Sequence, residues 1–159
     1  MGLDMYLRAK KYVSGYSFGK EAEKEEYAKI IDIIGEYRAI ADKDTPSGEI
    51  AVTAMYWRKA NAIHNWFVEN VQNGVDNCGT YPVSRNDLIA LRETCAVVLA
   101  ERSLAETLLP PTSGFFFGGT ELDEWYWGGV QETHDRLGEI LDLVGEEDYA
   151  WDFEYRSSW

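Results

Sequence analysis

Residues 149–159, YAWDFEYRSSW, decide the fold class. Tyr149, Trp151, Phe153 and Tyr155 alternate with Ala150, Asp152, Glu154 and Arg156. A period of two puts every second side chain on one face, so this is a half-buried β-strand. The opposite end of the chain repeats the pattern: Leu3, Met5 and Leu7 alternate with Asp4, Tyr6 and Arg8. Strand backbones need partners for their N–H and C=O groups, so the two terminal strands are predicted to pair. Ile50, Val52 and Ala54, alternating with Ala51, Thr53 and Met55, supply one internal strand.

Between these strands the apolar spacing changes to that of helices. From Glu21 to Ala41 the residues Tyr27, Ile30, Ile31, Ile34, Tyr37 and Ile40 form one stripe. Ala60, Ile63, Phe67 and Val71 predict a helix from Trp57 to Gln72, closed by a left-handed Asn73-Gly74. Val75 to Pro82 reads as a turn-rich loop. Ser84 with Asp87 is an N-cap pair opening a helix that carries Leu88, Leu91, Cys95 and Val98 and runs to Leu108 before Pro110-Pro111. Thr120 with Asp123 predicts the start of a last long helix, in which Gly128-Gly129 marks a break or a close contact. The expected fold is therefore α+β. About four helices pack on a small antiparallel sheet made of the N-terminal, the C-terminal and one internal strand, in a single domain spanning residues 1–159.

Composition narrows the function classes. The 159 residues carry 15 basic and 28 acidic side chains, a formal charge of −13. Duplex and phosphate-backbone binders gain affinity by neutralising phosphates, so direct nucleic-acid binding is not expected, nor is binding to a membrane. Acidity of this size serves solubility, or else a surface that imitates a phosphate backbone and occupies a host enzyme. The start of the chain has no apolar leader core, so a cytoplasmic location is expected. Cys78 and Cys95 stand in no paired spacing and are expected to be reduced and dispensable. With His64 and His134 as the two histidines, no metal-ligand spacing appears, and no cofactor is expected.

Two segments concentrate binding chemistry. WRKANAIHNWF, residues 57–67, would place Trp57, Asn61 and His64 on one helical face and Arg58 beside them. A guanidinium, an amide and an imidazole next to aromatic rings suit a polar ligand. Equally, the aromatics would be core and the polar groups satisfied around them. SGFFFGGTELDEWYW, residues 113–127, brackets aromatics with glycines and offers Ser113, Phe116 and Trp125 as a clamp, or else plugs the core with Phe115 and Phe117. Arg156 is a further candidate, as a local positive charge for an anionic ligand. No nucleophile elbow, phosphate loop or paired-carboxylate arrangement is present, so the residues favour a binding protein over an enzyme.

The opening MGLDMYL, the segment YWRKANAIHNWF, the stretch DNCGTYPVSR, SGFFFG followed by DEWYW, and the ending YRSSW together resemble a family of small bacteriophage and prophage proteins. The resemblance implies no reaction or cofactor. It implies a setting, the infected host cell, in which such proteins often act on host defence or metabolism. The function expected is sequestration of a polar or nucleotide-derived small molecule; the alternative is an acidic inhibitor of a host protein. The oligomeric state stays open.

Overall fold

The computed structural model describes residues 2–146 and 150–159. In chain order it contains β1 (Asp4–Ser14), α1 (Glu21–Ile34), β2 (Ser47–Arg58), α2 (Asn61–Asn70), β3 (Thr80–Val83), α3 (Arg85–Ala100), α4 (Ala105–Leu108), α5 (Glu124–Leu143) and β4 (Asp152–Ser158). The fold is α+β, with a four-stranded antiparallel sheet in the order β2-β1-β4-β3. The two terminal strands are neighbours at its centre, as their matching alternation predicts. Tyr149, expected in the last strand, lies outside the described residues.

The sheet has two internal strands where the sequence predicts one. Thr80–Val83, of which residues 80–82 are read as loop, pairs with β4 in the register Thr80↔Arg156 and Val83↔Phe153. The misleading residue is Pro82, which cannot donate to a ladder; on the outermost strand its missing N–H is tolerated. The second correction concerns Trp57. The expected helix from Trp57 to Gln72 does not form over its first residues: β2 continues to Arg58, Lys59 turns the chain at φ 57°, and α2 begins only at Asn61. Aromatic Tyr56 and Trp57 gain more from a pleated, half-buried surface than from an exposed first helical turn.

By contacts the chain divides into two compact units, residues 1–9 with 53–159, and residues 10–52. The core of the larger unit lies between one face of the sheet and the helices. Leu3, Met5 and Leu7, with Met55 and Trp57 from β2 and Phe153 and Tyr155 from β4, project into it. Phe67 of α2 stacks on Tyr155, ring centroids 3.9 Å apart and 9° from parallel. Helices α3 and α5 pack together, burying Leu88, Leu91, Cys95 and Val98 against α5 residues that include Val130, Leu137 and Ile140. Each large side chain buried in this way contributes about 1.5–3 kcal/mol.

In the smaller unit, the Tyr27 ring lies 2.3 Å from where a Cβ on Gly15 would stand, so that glycine is needed for α1 to approach. Lys11 pairs with Glu26 at 2.7 Å. The helix expected to reach Ala41 ends at Ile34, where Gly35 takes φ 54°; residues 35–40 continue as a 3₁₀ turn, leaving Tyr37 and Ile40 exposed rather than in the predicted apolar stripe.

Helix boundaries elsewhere follow local chemistry. Ser84 and Asp87 form a reciprocal capping box on α3. That helix stops at Glu101 rather than at Leu108, and α4 is a separate turn. The cap of α5 is Asp123, whose carboxylate accepts the Tyr126 N–H at 3.0 Å; Thr120 stands outside the helix. α5 passes through Gly128-Gly129 without a break. No helix among the described residues is long and apolar enough to cross a membrane.

Candidate functional site

Two clefts, both within the larger unit, flank the segment from Thr112 to Gly119. The larger encloses about 1020 Å³. One wall is the end of β2 and the start of α2, with Trp57, Arg58, Lys59 and Asn61; the other is the beginning of α5, with Trp125, Gly128 and Gly129. The smaller, about 390 Å³, is lined by His64, Asp76, Ser113, Phe116 and Trp159 among others.

The candidate residues are therefore distributed. Trp57, Arg58, Asn61 and Trp125 meet at the larger cleft, and His64, Ser113 and Phe116 at the smaller. Arg156 lines neither of them; it lies exposed on β4, opposite Thr80. The helical face proposed for Trp57, Asn61 and His64 does not exist, because Trp57 is on a strand. Asn61 and His64 do share α2, both buried.

Burial assigns most of their hydrogen-bonding capacity. Asn61 clasps the neighbouring segment with all of its polar atoms. Its Nδ2 donates to the carbonyls of Phe117 at 3.1 Å and Gly119 at 2.8 Å, and its Oδ1 accepts the Thr112 N–H at 3.1 Å. Phe117 is buried while Phe115 is exposed, so the aromatic segment both plugs the core and presents a ring to solvent.

His64 is 1% exposed. Its Nε2 lies 3.0 Å from Asp76 Oδ2 and its Nδ1 lies 2.7 Å from the Tyr155 hydroxyl. A carboxylate only accepts, so Nε2 carries the hydrogen, and Nδ1 takes the Tyr155 O–H. Burial, reinforced by the Asp76 charge, pushes the Tyr155 phenol well above its ordinary range and keeps that donor in place. Trp159 Nε1 donates to the other Asp76 oxygen at 3.1 Å. With both ring nitrogens committed, His64 holds the fold together and is not available as a base. Asp76 and Tyr155 carry no sequence signal for this role: one is a lone acid in a loop, the other a strand aromatic.

The larger cleft has a hydrogen-bonded floor and an exposed aromatic rim. Trp57 is buried, its indole N–H donating to Thr133 Oγ1 at 2.8 Å, while the Thr133 hydroxyl donates to the Gly129 carbonyl at 2.6 Å. Tyr126 donates to the Leu109 carbonyl at 2.9 Å, and burial pushes its phenol up to about 12. These residues form a fixed floor. Trp125, by contrast, is 88% exposed at the rim. Arg58 reaches Asp4 at 3.6 Å, and the Tyr56 hydroxyl donates to the same carboxylate, a hydrogen bond that raises its pKa. Glu121, Asp123, Glu124 and Glu132 complete the lining.

Cys95 is buried, and desolvation raises its thiol to about 12; Cys78 is partly exposed. Neither is disulfide-bonded. Among the described residues no three His, Cys, Asp or Glu side chains gather as a metal site requires. Compared with known family models, with curated proteins and with solved structures, the chain matches none of them.

Proposed function

We propose that the protein is a cytoplasmic binding protein that sequesters a polar, planar small molecule in the larger cleft. The observation that carries this reading is the cleft itself. About 1020 Å³, walled by fixed aromatic side chains and rimmed by an exposed Trp125, is the size and lining of a small-ligand site. The Trp57, Asn61 and Tyr126 groups that line it are held in hydrogen bonds to the fold, which favours binding over turnover. The phage setting that the sequence motifs suggest gives this binding a purpose, the removal of a host-defence signal.

Native mass spectrometry of the purified protein tests the reading. A small molecule that co-purifies, and whose occupancy falls with Trp125→Ala but not with Phe115→Ala, supports it. A wild-type protein that neither carries nor takes up any small molecule from a host extract overturns it.

A second reading is favoured by the acidic side of α5, where Glu124, Glu132, Asp135, Glu139 and Asp142 are all exposed, the first two at the edge of the cleft. Such a row of carboxylates would let the protein occupy a phosphate-binding groove on a host enzyme. Glu139→Gln with Asp142→Asn, both outside the cleft, would weaken that interaction and leave small-molecule occupancy unchanged.

A further inference from the structure

We infer that the larger cleft is built for a flat organic cation, which stacks on Trp125, lies over the bare backbone of Gly128 and Gly129, and sets its charge among Glu121, Glu124 and Glu132. The inference rests on reading this cleft as a small-molecule site and adds the chemical class of the occupant.

The first support is a contrast between glycines of one helix. Glycine is the poorest helix former after proline, so a glycine inside α5 requires a reason. At Gly138 the reason is packing: a Cβ there would stand 3.1 Å from Arg92 Nε. At Gly128 and Gly129 no such reason exists, since nothing lies within 4 Å of either Cβ position. Both line the cleft. Two adjacent residues thus forgo helix stability and leave open space where side chains would fill the cleft. A ligand that packs flat on the helix backbone accounts for both.

The second support is the exposed indole. Trp125 presents its ring at the same rim, beside a floor in which Trp57 and Tyr126 are held by hydrogen bonds. A tryptophan face attracts a cation more strongly than any other side-chain ring does.

The third support is the balance of charge. The cleft is lined by the cations Arg58 and Lys59 and by the four carboxylates Glu121, Asp123, Glu124 and Glu132. Arg58 already answers to Asp4, and the Asp123 carboxylate, by capping α5, occupies the positive end of the helix that an anion would otherwise use. A phosphate entering here would face a net negative wall, whereas a cation would be drawn in.

The test uses two flat probes of matched size and opposite charge, 9-aminoacridine as the cation and acridine-9-carboxylate as the anion, with adenosine monophosphate as a nucleotide. Dissociation constants are measured by equilibrium dialysis with the full chain. The cation is expected to bind at least tenfold more tightly than either anion. Trp125→Ala should weaken it at least fivefold, and so should joint conversion of Glu121, Glu124 and Glu132 to glutamine. Asp142→Asn, outside the cleft, should not weaken it. Gly128→Ala with Gly129→Ala should raise the melting temperature while reducing binding at least fivefold; a higher melting temperature excludes misfolding as the cause. Cation binding that ignores the Trp125 and glycine variants would be diffuse attraction to an acidic surface and would overturn the inference. Tighter binding of the nucleotide or the carboxylate, lost with Arg58→Ala, would overturn it while leaving the small-molecule reading intact. Failure of all three probes would also overturn it, and the native mass spectrum then decides the broader reading separately.

Discussion

His64 on α2 and Tyr155 on β4 meet edge to hydroxyl inside the core, with Nδ1 2.7 Å from the phenolic oxygen. The contact joins the helix to the central strand of the sheet, and Asp76 and Trp159 complete the chain of donors and acceptors. Removing the imidazole strands the Tyr155 hydroxyl and leaves Asp76 short of one partner. His64→Ala is therefore expected to cost about 2–4 kcal/mol, from a lost buried network and a cavity. Tyr155→Phe should cost about 1–3 kcal/mol. Because the two share one hydrogen bond, the double variant should lose less than the sum, by at least 0.5 kcal/mol on the usual scale of about 0.5–3 kcal/mol for residues in contact. Urea denaturation of the four proteins measures this; strict additivity would show that the contact carries no energy.

Asn61 predicts a local effect. Asn61→Ala removes three hydrogen bonds to the segment 112–119. Global stability should fall by about 1–3 kcal/mol, and amide exchange at Thr112 and nearby residues should speed up more than exchange in α3. Uniform acceleration throughout the chain would show that the clasp is not local.

The glycines of α5 predict unequal effects for one substitution. Gly138→Ala puts a methyl group 3.1 Å from Arg92 Nε, which must give by a few tenths of an ångström, and should gain less stability than Gly128→Ala. Gly128→Ala meets open space and should raise stability by about 0.5–1 kcal/mol through helix propensity alone. Equal effects at the two positions, measured by thermal melts, would contradict the packing described.

Cys95 sets an alkaline limit. Its folded-state pKa is raised from 9.0 to about 12. Below pH 9 the thiol is protonated in both folded and unfolded chains, so it adds no pH dependence. As pH rises from 9.0 toward about 12, the unfolded chain releases the proton and the folded chain keeps it, so stability is lost. Comparing pH 8 with pH 10, Cys95→Ala should lose about 1 kcal/mol less than the wild type, given roughly 1.4 kcal/mol per unit of pKa difference. In the native protein at pH 8, iodoacetamide should label the partly exposed Cys78 and spare Cys95.

Deleting residues 151–159 removes β4, which pairs with β1 on one side and β3 on the other. The truncated chain should show no cooperative thermal transition by circular dichroism. A cooperative melt near the wild-type temperature would mean that the sheet's centre is dispensable.

The features that the sequence determined by itself are those whose causes lie within a few residues. Leu3, Met5 and Leu7, and Phe153 and Tyr155, alternate because a strand face repeats every second residue, and the structure buries all of them. Ser84 and Asp87 close their capping box across three positions, and Asn73 and Gly74 adopt the left-handed backbone that asparagine tolerates and glycine, lacking a Cβ, takes freely. The α+β class and the adjacency of the terminal strands followed from such signals. Tertiary structure decided whatever depends on a distant partner. Trp57 fits a helical spacing, yet its indole N–H finds Thr133, 76 positions away, only from a strand. Asn61 and His64 looked like ligand groups from their chemistry; Phe117, Gly119 and Tyr155 had already claimed their atoms, from 56 to 91 positions away. Trp125 remained exposed because no such partner reached it. A polar side chain shows in the sequence what it is able to bond, and only the fold decides whether that capacity is spent inside the protein or left for a ligand.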